Sequence, residues 1–285
     1  MLTKKIGPFI RLVRPELPFS AGVCVVIGEM LTLGKFPPAR ELLFGFLCGF
    51  FISASAIVLN DYFDLEVDRV NAPERPLPAG LVSPSEAILL AVLTILIGLL
   101  ASLALGLPAF IICVIFALIG FLYNWKFKAA GLPGNLLVSS SVAITFILGG
   151  VAAGEPWNKI VWAFSLMAFF FDLGEEIAGT AMDMEGDKKR DSKSLAIRYG
   201  RGFALRIAGF LFALVVLISL VPALFGWLGA AYLIMICITD IVIGVYTVRL
   251  LKSKTPDEGR GYMRRLYLGV LLGLLAFILG MFFDP

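Results

Sequence analysis

Histidine is absent from all 285 residues. That removes a histidine general base, Ser-His-Asp and Cys-His triads and His-ligated zinc together. Cysteine is scarce: Cys24, Cys48, Cys113 and Cys237 all sit inside apolar runs with no CxxC spacing. This argues for buried small side chains rather than disulfides or metal ligands. Charge is sparse too, with Asp, Glu, Lys and Arg at 16% against 59% hydrophobic residues and a net charge of only +3. No basic patch of one sign, coiled-coil heptad or low-complexity tract appears, so nucleic acid is not an expected partner. Residues 1–14 are basic and mixed and lack the short apolar core and small-residue cleavage site of a leader, so no signal peptide is expected. Acids, lysines, tyrosines and the backbone must carry any chemistry.

What the chain has in abundance is apolar sequence in runs long enough to cross a bilayer. The expected spans are 17–34, 41–60, 86–105, 107–124, 133–153, 160–178, 203–224, 227–250 and 263–283. These make an all-α integral membrane protein of nine transmembrane helices, with no residues left over to build a soluble core. If the N-terminus is cytoplasmic, that side holds 21 of the 24 lysines and arginines, leaving only Lys35, Arg40 and Lys159 opposite. The positive-inside rule therefore predicts a cytoplasmic N-terminus.

Two acidic stretches stand out. Residues 60–69 read Asn-Asp-Tyr-Phe-Asp-Leu-Glu-Val-Asp-Arg, and Asp61, Asp64 and Asp68, at i, i+3 and i+7, share a face if the segment is helical. Like charges at a helix C-terminus cost stability unless cations neutralise them, and oxygen-only ligands suit a hard divalent ion, expected to be Mg²⁺. Asn60 would add or orient a ligand; Glu66 falls off the face and should meet solvent. The second stretch carries Asp183, Asp187 and Asp191 at i, i+4 and i+8. Gly186 and the basic run Lys188-Lys189-Arg190 weaken the case for Asp191. Both stretches fall on the cytoplasmic side, where two acidic faces meeting across one pocket would suit a metal-bridged diphosphate.

Cations for phosphate oxygens are available on the same side: Arg75, Lys126, Lys128 and Lys193, with the hydroxyl of Ser194 beside the last. Within the spans, Glu29, Asn135, Thr145, Asp172, Glu175, Glu176 and Asp240 are expected to line cavities, because an acid facing lipid costs a few kcal/mol. The two acidic connections are four spans apart, as a duplicated four-helix unit plus one extra helix would place them.

Taken in order, Asn60-Asp61-x-x-Asp64-x-x-x-Asp68, Arg75-Pro-Leu-Pro-x-Gly80, Tyr123 followed by lysines, then Asp183-x-x-x-Asp187 with Lys193-Ser194 resembles the UbiA superfamily of intramembrane prenyltransferases across nearly the whole chain. The resemblance implies one nine-helix membrane domain over residues 1–285, two acidic motifs holding Mg²⁺ on a prenyl diphosphate, and a lateral route for lipophilic acceptors through membrane lipid. It makes Asp61, Asp64, Asp68, Asp183 and Asp187 metal-binding and catalytic residues, and Asn60, Arg75, Tyr123, Lys126, Lys128 and Lys193 substrate-binding residues.

Residues 60–80 and 123–135 look most like the archaeal digeranylgeranylglyceryl phosphate synthase branch. That implies geranylgeranyl diphosphate as donor and geranylgeranylglyceryl phosphate as acceptor. Two departures leave an aromatic acceptor of quinone biosynthesis open. Phe127 stands where the family often has a lysine, and Glu175-Glu-Ile-Ala-Gly-Thr-Ala-Met182 replaces a charged lead-in. A CDP-alcohol phosphotransferase would need DGxxAR, which is missing. A cation transporter would hold its acids near the membrane midplane rather than at one face.

Overall fold

The computed structural model describes residues 6–184 and 192–283, and among them there is no β-strand. The elements in order are α1 (Ile6–Val13), α2 (Glu16–Leu33), α3 (Ala39–Phe63), α4 (Leu65–Asn71), α5 (Pro84–Leu105), α6 (Leu107–Leu122), a π-helical turn (Tyr123–Phe127), α7 (Leu132–Ala152), α8 (Lys159–Met182), α9 (Leu195–Tyr199), α10 (Arg201–Ser219), α11 (Val221–Leu224), α12 (Ala230–Leu251) and α13 (Pro256–Phe283).

Among the described residues, eight stretches are long and apolar enough to cross a membrane: α2, α3, α5, α6 with its π turn, α7, α10 with α11, α12 and α13. The chain is a multi-pass membrane protein. The remaining long helix, α8, has 24 residues and carries Asp172, Glu175 and Glu176 within its body. Where the apolar run suggested a last span from residue 263, α13 starts at Pro256, because Thr255 caps it through the Glu258 N–H at 3.3 Å.

The described residues divide into two compact units. The first comprises residues 6–30, 37–126 and 144–156. Its core gathers Val25, Cys48, Ile52, Cys113, Phe116 and Leu148 from α2, α3, α6 and α7. Lipid tails are as apolar as leucine, so helices in a bilayer associate by close packing of small residues rather than by hydrophobic burial alone. Gly149 illustrates this: a Cβ there would stand 2.2 Å from the Val25 carbonyl oxygen. A smaller cluster of Leu12, Val58, Leu77, Val82, Ala87 and Ala91 holds the ends of α1, α3 and α5 to the loop after α4. The start of α5 is set by a capping box between Ser83 and Glu86 with Pro84 at its first position.

The second unit comprises residues 31–36, 127–143, 157–184 and 192–283. Asn158 caps α8 by accepting from the N–H groups of Ile160 and Val161 at 3.0 and 3.2 Å. Phe277 of α13 meets Phe164 of α8 and Tyr232 of α12 edge-on, each at 5.0 Å between ring centroids. Arg201, at the start of α10, donates to the carbonyl and hydroxyl of Ser253, both at 2.7 Å. All four cysteines are free thiols; Cys48 and Cys113 are buried and Cys237 is exposed.

Candidate active site

The first acidic stretch lies in the first unit, where α3 gives way to α4. The three aspartates do not share one unbroken helix. Asp61 is in the last turn of α3, Asp64 sits at the junction with φ −88° and ψ 2°, and Asp68 belongs to α4. Running α3 straight on would stack like charges along one face at the helix's negative end, which the break avoids.

Asp61 and Asp68 are buried, at 2% and 6% exposure. A buried carboxylate needs a counter-charge or it loses its ionised form, and here guanidinium groups supply it. Arg75 Nη1 donates to Asp68 Oδ2 at 2.6 Å and stands 3.6 Å from Asp61 Oδ1. The same Asp61 oxygen accepts a hydrogen bond from Arg14 Nη2. Burial works against the charge on Arg75, but the hydrogen bond and charge of Asp68, with the charges of Asp61 and Asp64, outweigh it and raise its pKa above the ordinary arginine value. Glu66 turns away as expected, 79% exposed and paired with Arg69 at 2.8 Å.

Carboxylate oxygens that converge on a shared cation are the donors a hard divalent ion takes, so this stretch fits Mg²⁺ in chemistry. Among the described residues, no three acidic, cysteine or histidine side chains are already gathered as a metal site. Arginines occupy the cluster with the acids.

Asn60 commits its amide to another side chain. Its Nδ2 donates to Asn124 Oδ1 at 2.9 Å, and Asn124 Nδ2 in turn donates to the carbonyls of Ala56 and Gly120, both at 3.0 Å. Asn124 lies in the π-helical turn that ends α6, a wide turn of a kind found often at functional sites. Tyr123 opens that turn half-buried, and Lys126 is exposed.

In the second unit, the backbone brings the segment after Lys128 against Lys193. The Lys193 N–H donates to the Ala129 carbonyl at 3.0 Å. Gly131 has φ +75°, and a Cβ there would stand 2.1 Å from the Lys193 carbonyl oxygen, so only glycine fits this crossing. Lys193 is exposed. Ser194, expected to offer its hydroxyl to phosphate, is buried and accepts from the Ile197 N–H at 3.4 Å to cap α9, a bond that uses an oxygen lone pair rather than the O–H.

Asp183 caps the C-terminal end of α8, 61% exposed, and pairs with Arg260 at 2.5 Å. Arg260 also donates to the Met182 carbonyl at 3.2 Å. Asp187 and Asp191 lie outside the described residues. Two of the acids within the helices accept hydrogen bonds: Asp172 from the Ser139 hydroxyl and Asp240 from the Ser219 hydroxyl, each at 2.8 Å. Glu29 is fully buried with neither carboxylate oxygen hydrogen-bonded.

Arg14, Asn124 and Arg260 join these networks without having stood out in the sequence. The two arginines read as ordinary positive-inside charges, and nothing in their spacing points to a partner 47 or 77 residues away. Asn124 alone carried a signal, as an amide at the end of an apolar run.

Comparison with known proteins places these features in a family context. A description of the UbiA prenyltransferase family matches residues 21–269. The chain is 32% identical to the digeranylgeranylglyceryl phosphate synthase of Thermococcus gammatolerans, over 96% of this chain and 98% of the relative. It is 35% identical to the enzyme of the same name from Methanopyrus kandleri, over 95% and 97%. A solved structure concerned with digeranylgeranylglyceryl phosphate synthase in membranes superposes with a TM-score of 0.88 at 34% identity, over 98% of this chain and 99% of that one. A UbiA homologue from Archaeoglobus fulgidus, bound to GPP and Mg²⁺, shares the fold with a TM-score of 0.70 at 20% identity, over 95% and 99%.

Proposed function

The chain belongs to the UbiA prenyltransferase family, and from that premise we propose that it transfers a geranylgeranyl group from geranylgeranyl diphosphate to geranylgeranylglyceryl phosphate in a Mg²⁺-dependent reaction. One observation carries the reading. The chain matches digeranylgeranylglyceryl phosphate synthases over at least 95% of its length in sequence and 98% in fold. The buried carboxylates of Asp61 and Asp68, bridged by the half-exposed Arg75, support it as a site that gathers charge.

In this reading Asp61, Asp64, Asp68, Asp183 and Asp187 hold the metal, while Arg75, Lys126, Lys128 and Lys193, with Asn60 and Tyr123, hold phosphate oxygens. Mg²⁺, when bound, neutralises the diphosphate and makes it a better leaving group. The side chains bind the donor, aim its reacting carbon and keep water from the allylic cation that forms as the C–O bond lengthens. The acceptor's phosphate would be repelled by the diphosphate without a cation beside it, which gives the lysines a second task. The acceptor hydroxyl attacks a strong electrophile and needs only weak base assistance, so a chain without histidine suffices.

We read α8 as the ninth span. Its 24 residues reach about 36 Å at 1.5 Å per residue, enough for the hydrocarbon core. The hydrogen bond from Ser139 lowers the cost of Asp172 there. Residues 1–285 then form a single membrane domain of the cell membrane. The N-terminus and both acidic stretches face the cytoplasm, by the charge asymmetry of the connections.

The test is purified protein in lipid nanodiscs with geranylgeranyl diphosphate and Mg²⁺, offered geranylgeranylglyceryl phosphate, 4-hydroxybenzoate or dihydroxynaphthoate. The expected product is the digeranylgeranyl ether, identified by mass. Product from an aromatic acceptor, with none from the glyceryl phosphate, would move the assignment to aromatic prenylation.

A further inference from the structure

Asp61 has a partner that the metal-binding motif does not supply. Arg75 already commits a nitrogen to Asp68 at 2.6 Å and keeps 3.6 Å from Asp61, whereas Arg14 donates directly to Asp61 Oδ1. Asp61 is 2% exposed, so without that donor its carboxylate would face desolvation with no direct hydrogen bond from a cation, only the Arg75 charge at 3.6 Å that Asp68 shares.

Arg14 is held in place by structure on both sides. Among the described residues it is the one non-glycine with positive φ, at +49°, a conformation an L-residue adopts only when its surroundings impose it. Its N–H closes α1 onto Ile10 O at 3.1 Å, and its own carbonyl accepts from Leu17 N at 3.0 Å to begin α2. One turn back, Arg11 donates to the Glu74 carbonyl at 3.1 Å, immediately before Arg75, and Leu12 is fully buried against the cluster that includes Val58 and Leu77. The segment from Arg11 to Arg14 thereby ties the N-terminal helix to both guanidinium groups around Asp61.

We propose that Arg14 is the resident counter-ion of Asp61 in the metal-free protein, and that a divalent cation binding at Asp61 displaces it. This rests on the reading of Asp61 as a metal ligand. A guanidinium donating to Oδ1 and a divalent cation on the same carboxylate compete for the same lone pairs and repel each other at a few ångströms. Arg14 therefore holds and aims the Asp61 carboxylate while no metal is present, and its release couples metal loading to the α1–α2 joint.

The experiment measures Mn²⁺ binding by the loss of the free-ion EPR signal, with full-length protein in detergent and no diphosphate. Arg14→Gln should bind Mn²⁺ about fivefold tighter or more, the lower range of ordinary coupling between sites, and should melt at lower temperature without metal, with Mn²⁺ restoring part of the loss. Arg14→Lys, which keeps the charge, should stay near wild type. In an Asp61→Asn background, Arg14→Gln should leave Mn²⁺ affinity unchanged. A measurement on the wild type alone guards against misfolded variants: labelling of Arg14 by p-hydroxyphenylglyoxal, read by mass spectrometry, should rise when Mn²⁺ is added. Wild-type Mn²⁺ binding with unchanged or weaker affinity in Arg14→Gln, or with no rise in labelling, overturns this proposal and leaves the metal-site reading standing. Absence of any Mn²⁺ binding by the wild type overturns both.

Discussion

Arg75 and Asp68 are joined by a 2.6 Å hydrogen bond between the end of the acidic stretch and the proline-rich loop behind it, seven residues on. The same guanidinium nitrogen lies 3.6 Å from Asp61, so one cation serves two buried carboxylates. Arg75→Ala is expected to lower prenyl transfer roughly tenfold to a hundredfold, the worth of about 1.5–3 kcal/mol for a hydrogen bond to a charged group. Steady-state assays with saturating acceptor would measure it. Transfer within twofold of wild type would remove Arg75 from the site. Lysine should rescue poorly, since one ammonium cannot reproduce the geometry of the planar fork.

Removing either acidic stretch, or the metal, should have the same consequence. Asp64→Asn and Asp187→Asn are each expected to abolish transfer while the protein still elutes as a folded species in detergent. EDTA should abolish binding of a non-hydrolysable prenyl diphosphate analogue, because unneutralised carboxylates repel the diphosphate. Calorimetry with and without Mg²⁺ is the measurement. Equal affinity in the two conditions would contradict a metal-held diphosphate.

Asn124 is a structural test of the same region. Its side chain is 8% exposed and joins Asn60, Ala56 and Gly120 through three hydrogen bonds. Asn124→Leu leaves the amide of Asn60 and two carbonyls without that partner, at a cost of about 1–3 kcal/mol. A lower melting temperature in detergent is expected, with a raised KM for the donor if Asn60 loses its orientation. An unchanged melting curve would show that these bonds are replaced by water.

Orientation can be read by chemical labelling. In a cysteine-free background, Glu74→Cys should react with an impermeant thiol reagent only from the cytoplasmic side, and Lys35→Cys only from the opposite one. Both side chains are exposed, so access is not the limiting factor. The reverse pattern would invert the topology.

The amino-acid pattern by itself determined the helical class, most of the spans, the two acidic stretches and the family, because bilayer insertion depends on apolar length and a metal motif on the spacing of a few carboxylates. It also made Glu66 solvent-facing, since that position falls off the Asp61–Asp68 face. Tertiary structure decided the partners. Nothing local pairs Arg14 with Asp61 or Arg260 with Asp183, because the arginines come from elements distant in sequence. The break at Asp64, the π turn at Tyr123 and the capping role of Ser194 were equally hidden, because each depends on where a strand of backbone turns and which orphan N–H or carbonyl lies within reach. Residue type and period write the elements into a chain, while the counter-ion of a buried charge is chosen by whatever the fold carries to within 3 or 4 Å of it.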